Sequence, residues 1–297
     1  MSKVKDQDTN KLLSLKLDAV LKLYFSRKEN EEQLRQFLKA VIPLNDDSFE
    51  ILVITNPILT KQHVHEKDFI VDIHLTSATG ELIIIEMQAQ NHSGFIDRMV
   101  SYNARDFASQ LEPGENYSQL KSAISVVVVD FNMFKDTEEF CEHILLRREN
   151  NKIFTKAQQF YIIDVTKTPN EITNPLHMWG KLFKVETKEE LRMLMNESDD
   201  MREAGEKLLK LSADREAQEI AEARRLAIWE RNHMITSTRD EERKIADIRV
   251  KEVRDKADEQ LKKVDEQLQK ADAQLQKAEN DNAKLLERIR ELESNKS

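Results

Sequence analysis

The final part of the sequence repeats every seven residues, from position 258 to position 292. One position of the repeat holds Leu261, Leu268, Leu275, Asn282 and Ile289, and the other holds Val264, Ala271, Ala278, Leu285 and Leu292. Apolar residues spaced by three and four positions in turn form a continuous seam along a helix, the signature of a coiled coil. The repeat therefore predicts a long helix that buries this seam, either against a partner helix or against the globular part of its own chain.

Two details of the repeat favour a pair of identical helices. Asn282 lies in the apolar seam, where two such amides can bond to each other across a parallel two-stranded interface. Residues 251–297 carry 11 Lys and Arg against 12 Asp and Glu, an almost balanced surface. This balance fits self-association better than it fits a phosphate-binding arm, so we predict a homodimer formed through a C-terminal coiled coil.

Composition limits the class of protein. The single cysteine, Cys141, excludes an intramolecular disulfide and a cysteine-built zinc site, and it indicates a reducing compartment. No apolar run approaches the ~18 residues that a membrane span needs, and residues 1–10 lack the apolar core of a signal peptide. We expect a cytoplasmic protein without a membrane segment. The net charge of −9 argues against general coating of nucleic acid, although it leaves room for a confined basic groove.

The periodicity of apolar residues changes along the chain. Residues 10–41 have helical spacing and are divided into two helices, whereas 50–59, 67–76 and 81–90 are short, β-branched segments typical of strands. The last two strands form a predicted hairpin around Ser77–Gly80. A helix at 94–114 and strands at 122–131 and 159–165 complete an α/β or α+β layer design. We divide the chain into a globular domain at 1–185, a helical segment at 186–250 and the coiled coil at 251–297.

Two carboxylates interrupt the apolar strands of this hairpin. Asp72 lies in the first strand and Glu86 in the second, and Gln88 shares the face of Glu86 because side chains alternate along a strand. Burying an ionised carboxylate among aliphatic side chains costs several kcal/mol unless a cation compensates it. Two acidic oxygens, with a backbone carbonyl such as that of Met87, would make half of a coordination shell for Mg²⁺, with Mn²⁺ as an alternative. Such an ion would acidify a water and screen charge on a phosphodiester.

An ordinary ion pair is the competing interpretation of the two acids. Arg98 in the next helix and Lys67 before the first strand are the candidate cations. Arg98, Tyr102 and Arg105 recur at i, i+4 and i+7 and form a polar stripe opposite the apolar residues Ile96, Val100 and Phe107. This stripe is either a solvated helix face or a surface that supports the site and contacts DNA, with Arg98 near the acids or a phosphate.

These segments together resemble a known family. Asp72, thirteen intervening residues and then Glu86-Met87-Gln88, within a helix-strand-strand-strand-helix-strand order, resemble the PD-(D/E)xK nucleases, and more closely their recombination-promoting, transposase-labelled branch. The resemblance extends over residues 10–185 and implies a restriction-endonuclease-like αβββαβ core. It implies that Asp72 and Glu86 are metal ligands and that Gln88 stands where the superfamily has lysine.

The sequence departs from the superfamily pattern at two places. Gln88 can accept no proton and carries no charge, so it could only orient an attacking water by hydrogen bonding. Val71 replaces the proline of the motif. Asp18, in the first helix, matches an acid of this branch and is either a site residue or a helix-surface residue. The four histidines around the strands match no zinc-ligand spacing, and of these only His74 shares a strand face with Asp72: His63, His65, His74 and His92.

The sequence supports two functions of different classes. The first is a metal-dependent DNA endonuclease, with catalytic residues Asp72, Glu86 and Gln88 and with links to recombination, mobile elements or phage defence. The second is an inactive nuclease-like interaction protein assembled through its coiled coil, which the absent lysine and the net acidity favour. Transposase activity would follow from the family label alone.

Overall fold

The structure, a computed structural model, describes residues 12–50, 52–55, 72–91 and 93–294, with side chains through residue 288. The chain divides into two compact units, one ending at Ile228 and the other beginning at Trp229. The expected elements at positions 56–71, with Lys67, Val71, His63 and His65, lie outside the described residues, and so does His92.

The first unit is a mixed α/β fold. Its helices are α1 (Asp18–Ser26), α2 (Glu31–Val41), α3 (Phe95–Ala108), α4 (Pro175–Lys184), α5 (Lys188–Met195), α6 (Asp199–Ala213) and the start of α7 (Arg215–Ser294). Its strands are β1 (Val53–Ile54), β2 (Ile73–Thr76), β3 (Leu82–Gln88), β4 (Ala123–Val129), β5 (Cys141–Arg147) and β6 (Ile153–Asp164). They form one six-stranded sheet in the order β1-β2-β3-β4-β6-β5.

The centre of the sheet is parallel and its margins are antiparallel. β3 pairs with β4 and β4 with β6 in parallel, so the carboxyl ends of these three strands meet at one edge. All seven residues of β4 are buried, as expected of a Val-rich strand covered on both faces. Ile124, Val126 and Val128 face the main core, and Val127 and Val129 face a smaller core that contains Phe95 and Met99 of α3.

The main core joins the N-terminal helices to α4. Phe25 of α1 stacks on Phe37 of α2 with ring centroids 5.2 Å apart, and Trp179 and Phe183 of α4 close the cluster against Phe37 at 5.4 and 5.6 Å. Aromatic pairs at these separations contribute beyond the area that they bury. The cluster fixes α1 against the sheet, and α1 carries two residues of the site described below.

The helical hairpin α5–α6 packs with residues that the sequence identified. Leu191, Leu194, Leu208 and Leu211 are all buried, as predicted. A capping box at Thr187 and Glu190 starts α5. Gly205 of α6 permits a close approach, since a Cβ there would lie 2.4 Å from Cγ of Met195.

The fold agrees with the predicted order of elements, with one added strand, whereas α3 ends at Ala108 instead of 114 and β6 begins at Ile153 instead of 159. The β2–β3 hairpin is present, but β5 was not predicted, because its apolar residues are interrupted by the charged run that follows Leu146. The buried side of α3 consists of Phe95, Met99 and Asn103. Ile96 and Val100 were expected to oppose a polar stripe, but both are exposed. The face of α3 that packs on the sheet is displaced by one residue along the sequence and holds Phe95 and Met99 instead.

The second unit is the continuation of α7. Of the seam residues whose side chains the structure describes, Leu261, Val264, Leu268 and Leu275 are 58–60 % exposed. A long helix is thus present, whereas a coiled coil is not shown by one chain. The seam also extends upstream of the predicted repeat, because Ala257 and exposed Val250 continue the position of Val264 at intervals of seven.

Candidate active site

The β2–β3 hairpin places Asp72 opposite Glu86. Ile73 pairs with Ile85 and His74 with Ile84, and one further step of this register sets Asp72 across from Glu86. Directly opposed residues of an antiparallel pair project from the same face, with Cβ atoms about 4.5–5.5 Å apart. The two acids therefore share one face, near the carboxyl end of β3.

Burial and mutual repulsion act on both acids. Glu86 is 8 % exposed, and burial followed by the negative charge of Asp72 raises its pKa to about 7, against the opposing effect of Arg98. Burial likewise raises the pKa of Asp72, although the charges of His74, Arg98 and Lys22 counteract it. Each carboxylate thus makes ionisation of the other more costly.

Arg98 contacts both Glu86 and Gln88. From the first turns of α3, its Nη2 donates to Oε1 of Glu86 at 2.6 Å and to Oε1 of Gln88 at 3.0 Å. The amide nitrogen of Gln88 donates to the carbonyl of Gln90 at 2.9 Å, which holds the side chain in this orientation. The ion pair expected as an alternative is therefore present, and it joins three predicted site residues.

Helix α1 brings two further charges to the cluster. The carboxylate of Asp18 contributes to raising the pKa of Asp72 and of Glu86. Lys22, one turn later, is 2 % exposed, and burial lowers its pKa while the charge of Asp72 opposes that change. Lys22 was missed in the sequence, although its i+4 spacing from Asp18 places it on the same helix face.

A buried arginine from α7 neutralises Asp18. Nε of Arg224 donates to both carboxylate oxygens of Asp18 at 3.0 Å, and Nη2 makes a further bond to Oδ2. Arg224 is only 7 % exposed. These two residues are separated by 206 positions, so no local pattern in the sequence indicated the pair.

The remaining predicted residues lie on α3 and β2. Nδ1 of His74 lies 3.2 Å from Oδ2 of Asp106, which ties β2 to α3. Tyr102 is partly exposed, and the guanidinium of Arg105 lies over its ring at 4.9 Å. Tyr102 and Arg105 therefore form an exposed cationic and aromatic surface one turn and two turns beyond Arg98.

The donor set fits a hard divalent cation. Asp72 and Glu86 supply carboxylate oxygen atoms, which Mg²⁺ prefers, and water or a phosphate could complete the shell. The raised pKa values of the two acids mark a place where added positive charge would be stabilising. No group of three or more His, Cys, Asp or Glu residues suited to a metal occurs among the described residues. Any ion would therefore be held by the two acids, with water or a phosphate completing its shell.

The fold defines a mixed α/β protein in which Asp72 and Glu86 lie opposite each other on one face of a hairpin. A family profile described as PD-(D/E)XK nuclease family transposase matches residues 15–238, and the chain belongs to that family. The match includes the whole α/β fold and the first turns of α7. Neither the curated proteins nor the solved structures compared with the chain provide a match.

Family membership indicates a nuclease-like function with DNA as the substrate class, and PD-(D/E)XK nucleases typically use divalent metals. Within the part of the chain that the structure describes, no helix is both long and apolar enough to span a membrane.

Proposed function

We propose that this protein is a metal-dependent endodeoxyribonuclease, with Mg²⁺ as its ion and Mn²⁺ as a substitute. The observation that carries the proposal is the pair formed by the half-buried Asp72 and the buried Glu86, whose ionisation is costly without added positive charge. A divalent ion bound there would supply an acidified water and would screen the charge that grows on phosphorus.

The chain's own residues would divide the remaining work. Asp72 and Glu86 would hold the ion, and Gln88 would orient the attacking water through its amide. Arg98 favours the ionised form of Glu86 through their 2.6 Å contact, which partly offsets the rise in the pKa of that carboxyl. A substrate phosphate that approached the guanidinium would meet a donor matched to its oxygens. Exposed Tyr102 would support the DNA beside the cluster.

Plasmid nicking tests the proposal directly. We expect Asp72→Asn and Glu86→Gln to lose Mg²⁺-dependent nicking by a hundredfold or more, because each removes an ion-holding carboxylate with little change of size. Asp97→Asn is the matched control, an acid-to-amide change at an exposed position of α3, and it should cut normally. Nicking that persists unchanged in Asp72→Asn would refute the assignment.

A non-catalytic interaction protein is the second candidate. Gln88 in place of lysine and the engagement of Glu86 by Arg98 favour it. Calorimetric titration separates the two functions, because a scaffold would bind neither Mg²⁺ nor Mn²⁺ at millimolar concentration and would leave DNA intact. Recombination, mobile-element or defence roles, and strand transfer, are open extensions of the nuclease proposal, and the reducing cytoplasm is its expected compartment.

We further propose that the seam of α7 pairs with a second copy of the chain. Exposed leucines at seven-residue spacing, with balanced charges around them, support a parallel two-stranded coiled coil. Light scattering should give a dimer for the wild type and a monomer for Leu268→Lys. Gln269→Lys adds the same charge beside the seam and should stay dimeric. A wild type that is monomeric at micromolar concentration contradicts this pairing.

A further inference from the structure

The β5–β6 hairpin extends beyond the rest of the sheet. Gln158 of β6 pairs with Ala123, the first residue of β4, and β6 begins five residues earlier, at Ile153. At about 3.3 Å per residue, this segment projects ~16 Å past the amino edge of the parallel strands. We call residues 146–156 the hairpin tip.

Backbone contacts hold the hairpin tip in a defined turn. The amide of Arg148 donates to the carbonyl of Lys152 at 2.9 Å, and the amide of Asn151 donates to the carbonyl of Arg148 at 2.8 Å. Asn151 has φ +63°, a left-handed conformation that asparagine tolerates well. Nη1 of Arg147 also donates to the carbonyl of Asn151 at 2.9 Å. The side chains of the tip are therefore presented on an ordered backbone.

The hairpin tip concentrates positive charge and exposed apolar surface. Four basic residues against one acid give it a charge of +3 in a chain of net charge −9: Arg147, Arg148, Lys152 and Lys156, with Glu149. All five are exposed. Phe154 is 73 % exposed, and Leu146 and Ile153 are also exposed. The exposed ring of Phe154 contributes nothing to packing within the fold. The hairpin tip therefore has the properties of a contact surface.

The charges identify the kind of partner. Lys and Arg on an edge strand often have no role beyond preventing aggregation. That role does not account for an exposed phenylalanine among them. A second copy of β5 would bring like charges face to face, which is destabilising. Basic side chains with an exposed ring are the combination that binds a phosphodiester backbone and packs on or between bases.

The hairpin tip lies far from the acids. Glu86 pairs with Val127 of β4, which lies four residues after Ala123. Ala123 pairs with Gln158 of β6, and Phe154 lies four residues before Gln158. Eight residues correspond to about 26 Å, somewhat less than the ~34 Å of one turn of duplex DNA. A duplex that reaches both places must therefore extend for about one helical turn.

We propose that the hairpin tip is a second DNA-contacting surface. It binds the duplex backbone about one helical turn from the phosphodiester bond that lies at Asp72 and Glu86. This inference rests on the proposed nuclease function. It assigns the confined basic patch that an acidic protein needs in order to bind DNA, and it places that patch outside the cluster of acids.

Fluorescence anisotropy with a 30-base-pair duplex in EDTA tests the proposal without cleavage. The test variant is Arg148→Gln/Lys152→Gln/Lys156→Gln, and the control is Arg239→Gln/Arg243→Gln/Lys244→Gln, which makes the same change of charge on exposed positions of α7. Each lost phosphate contact lowers the slope of log K against log salt by about 0.9. The test variant should bind ten- to a hundredfold more weakly at 0.15 M salt, with a slope smaller by about 2–3, and the control should match the wild type.

Phe154→Ala provides a second readout that does not depend on charge. It should weaken binding several-fold with the salt slope unchanged, because it removes ring contacts and no phosphate contact. If the wild type binds the duplex and the test variant matches it in affinity and slope, the inference is wrong and the proposed nuclease stands. If the wild type neither binds nor nicks DNA, the proposed function fails and this inference fails with it. A change of oligomeric state in the test variant, measured by light scattering, would instead assign the tip to self-association and overturn the proposal.

Discussion

Replacing Glu86 by glutamine should remove much of the pH dependence of stability between pH 5 and pH 8 in the absence of divalent ions. The folded-state pKa of Glu86 is about 7, above its ordinary value of 4.5. When folding raises the pKa of a carboxyl group, the linked stability is fully present below the pKa of the unfolded state. It declines between the two pKa values and is lost above the pKa of the folded state. The wild type should therefore become less stable as the pH rises through 5 to 7.

The size of this effect follows from the shift. About 2.5 pKa units at ~1.4 kcal/mol each correspond to roughly 3 kcal/mol of unfolding free energy. For a domain of this size, 1 kcal/mol changes Tm by about 2–4 °C, so the wild type should lose roughly 6–12 °C over the range. Glu86→Gln should lose much less, since it carries no ionisable group there and also relieves Asp72.

Thermal unfolding can be followed by the fluorescence of Trp179, which is buried in the main core, in a Trp229→Phe background. Melts of wild type and Glu86→Gln would be recorded in EDTA at each unit of pH from 5 to 8. Glu81→Gln is the matched control in the same hairpin. Burial acts to raise the pKa of Glu81, but hydrogen bonds from Ser77 and Thr79 outweigh it and lower the pKa, so its stability contribution is lost as pH falls, the opposite sign.

The reasoning is refuted if wild type and Glu86→Gln show the same change of Tm between pH 5 and pH 8. Millimolar Mg²⁺ gives an independent check. If the ion binds the charged pair, it should raise the Tm of the wild type more at pH 8 than at pH 5 and should have little effect on Glu86→Gln.

Three further substitutions or labels probe packing and burial. Arg224→Met should cost about 3 kcal/mol, because it leaves the largely buried charge of Asp18 without its ion-pair partner, and adding Asp18→Asn should recover much of the Tm. Gly205→Ala should lower the unfolding free energy by roughly 1–2 kcal/mol in denaturant titrations, because the clash with Met195 exceeds the gain in helix propensity. Burial raises the pKa of Cys141 to about 12, so at pH 8 its alkylation, followed by mass spectrometry, should be about a thousandfold slower than that of an ordinary thiol until the protein unfolds.

The sheet centre could be predicted from the sequence because its signals are local. The Val-rich run of β4 and the turn at Ser77–Gly80 set the strands, and that turn also sets the register that places Asp72 opposite Glu86. The sequence thus indicated which acids to pair. Their roles as ion ligands are proposals supported by their burial and charge.

The parts that escaped prediction depend on contacts between distant segments. Arg224 has no local feature that separates it from its neighbours Arg225 and Glu222, and only the folded chain shows that it binds Asp18. β5 was hidden by the charges that follow it. On α3, the exposed Ile96 and Val100 imitate a buried face, whereas the buried face includes the polar Asn103, which donates to the carbonyl of Ala123 and to the hydroxyl of Ser125.

The first turns of α7 have a consequence for the rest of that helix. Ala217, Ile220, Ala221 and Arg224 are buried in the first unit, and the helix continues without interruption to Ser294. Starting a helix is the costly step, whereas each added residue costs little. The packed turns therefore act as a preformed nucleus from which the tail can elongate. A peptide of residues 229–297 lacks this nucleus, and its helix content in isolation should depend more steeply on concentration than that of the same segment in the intact chain.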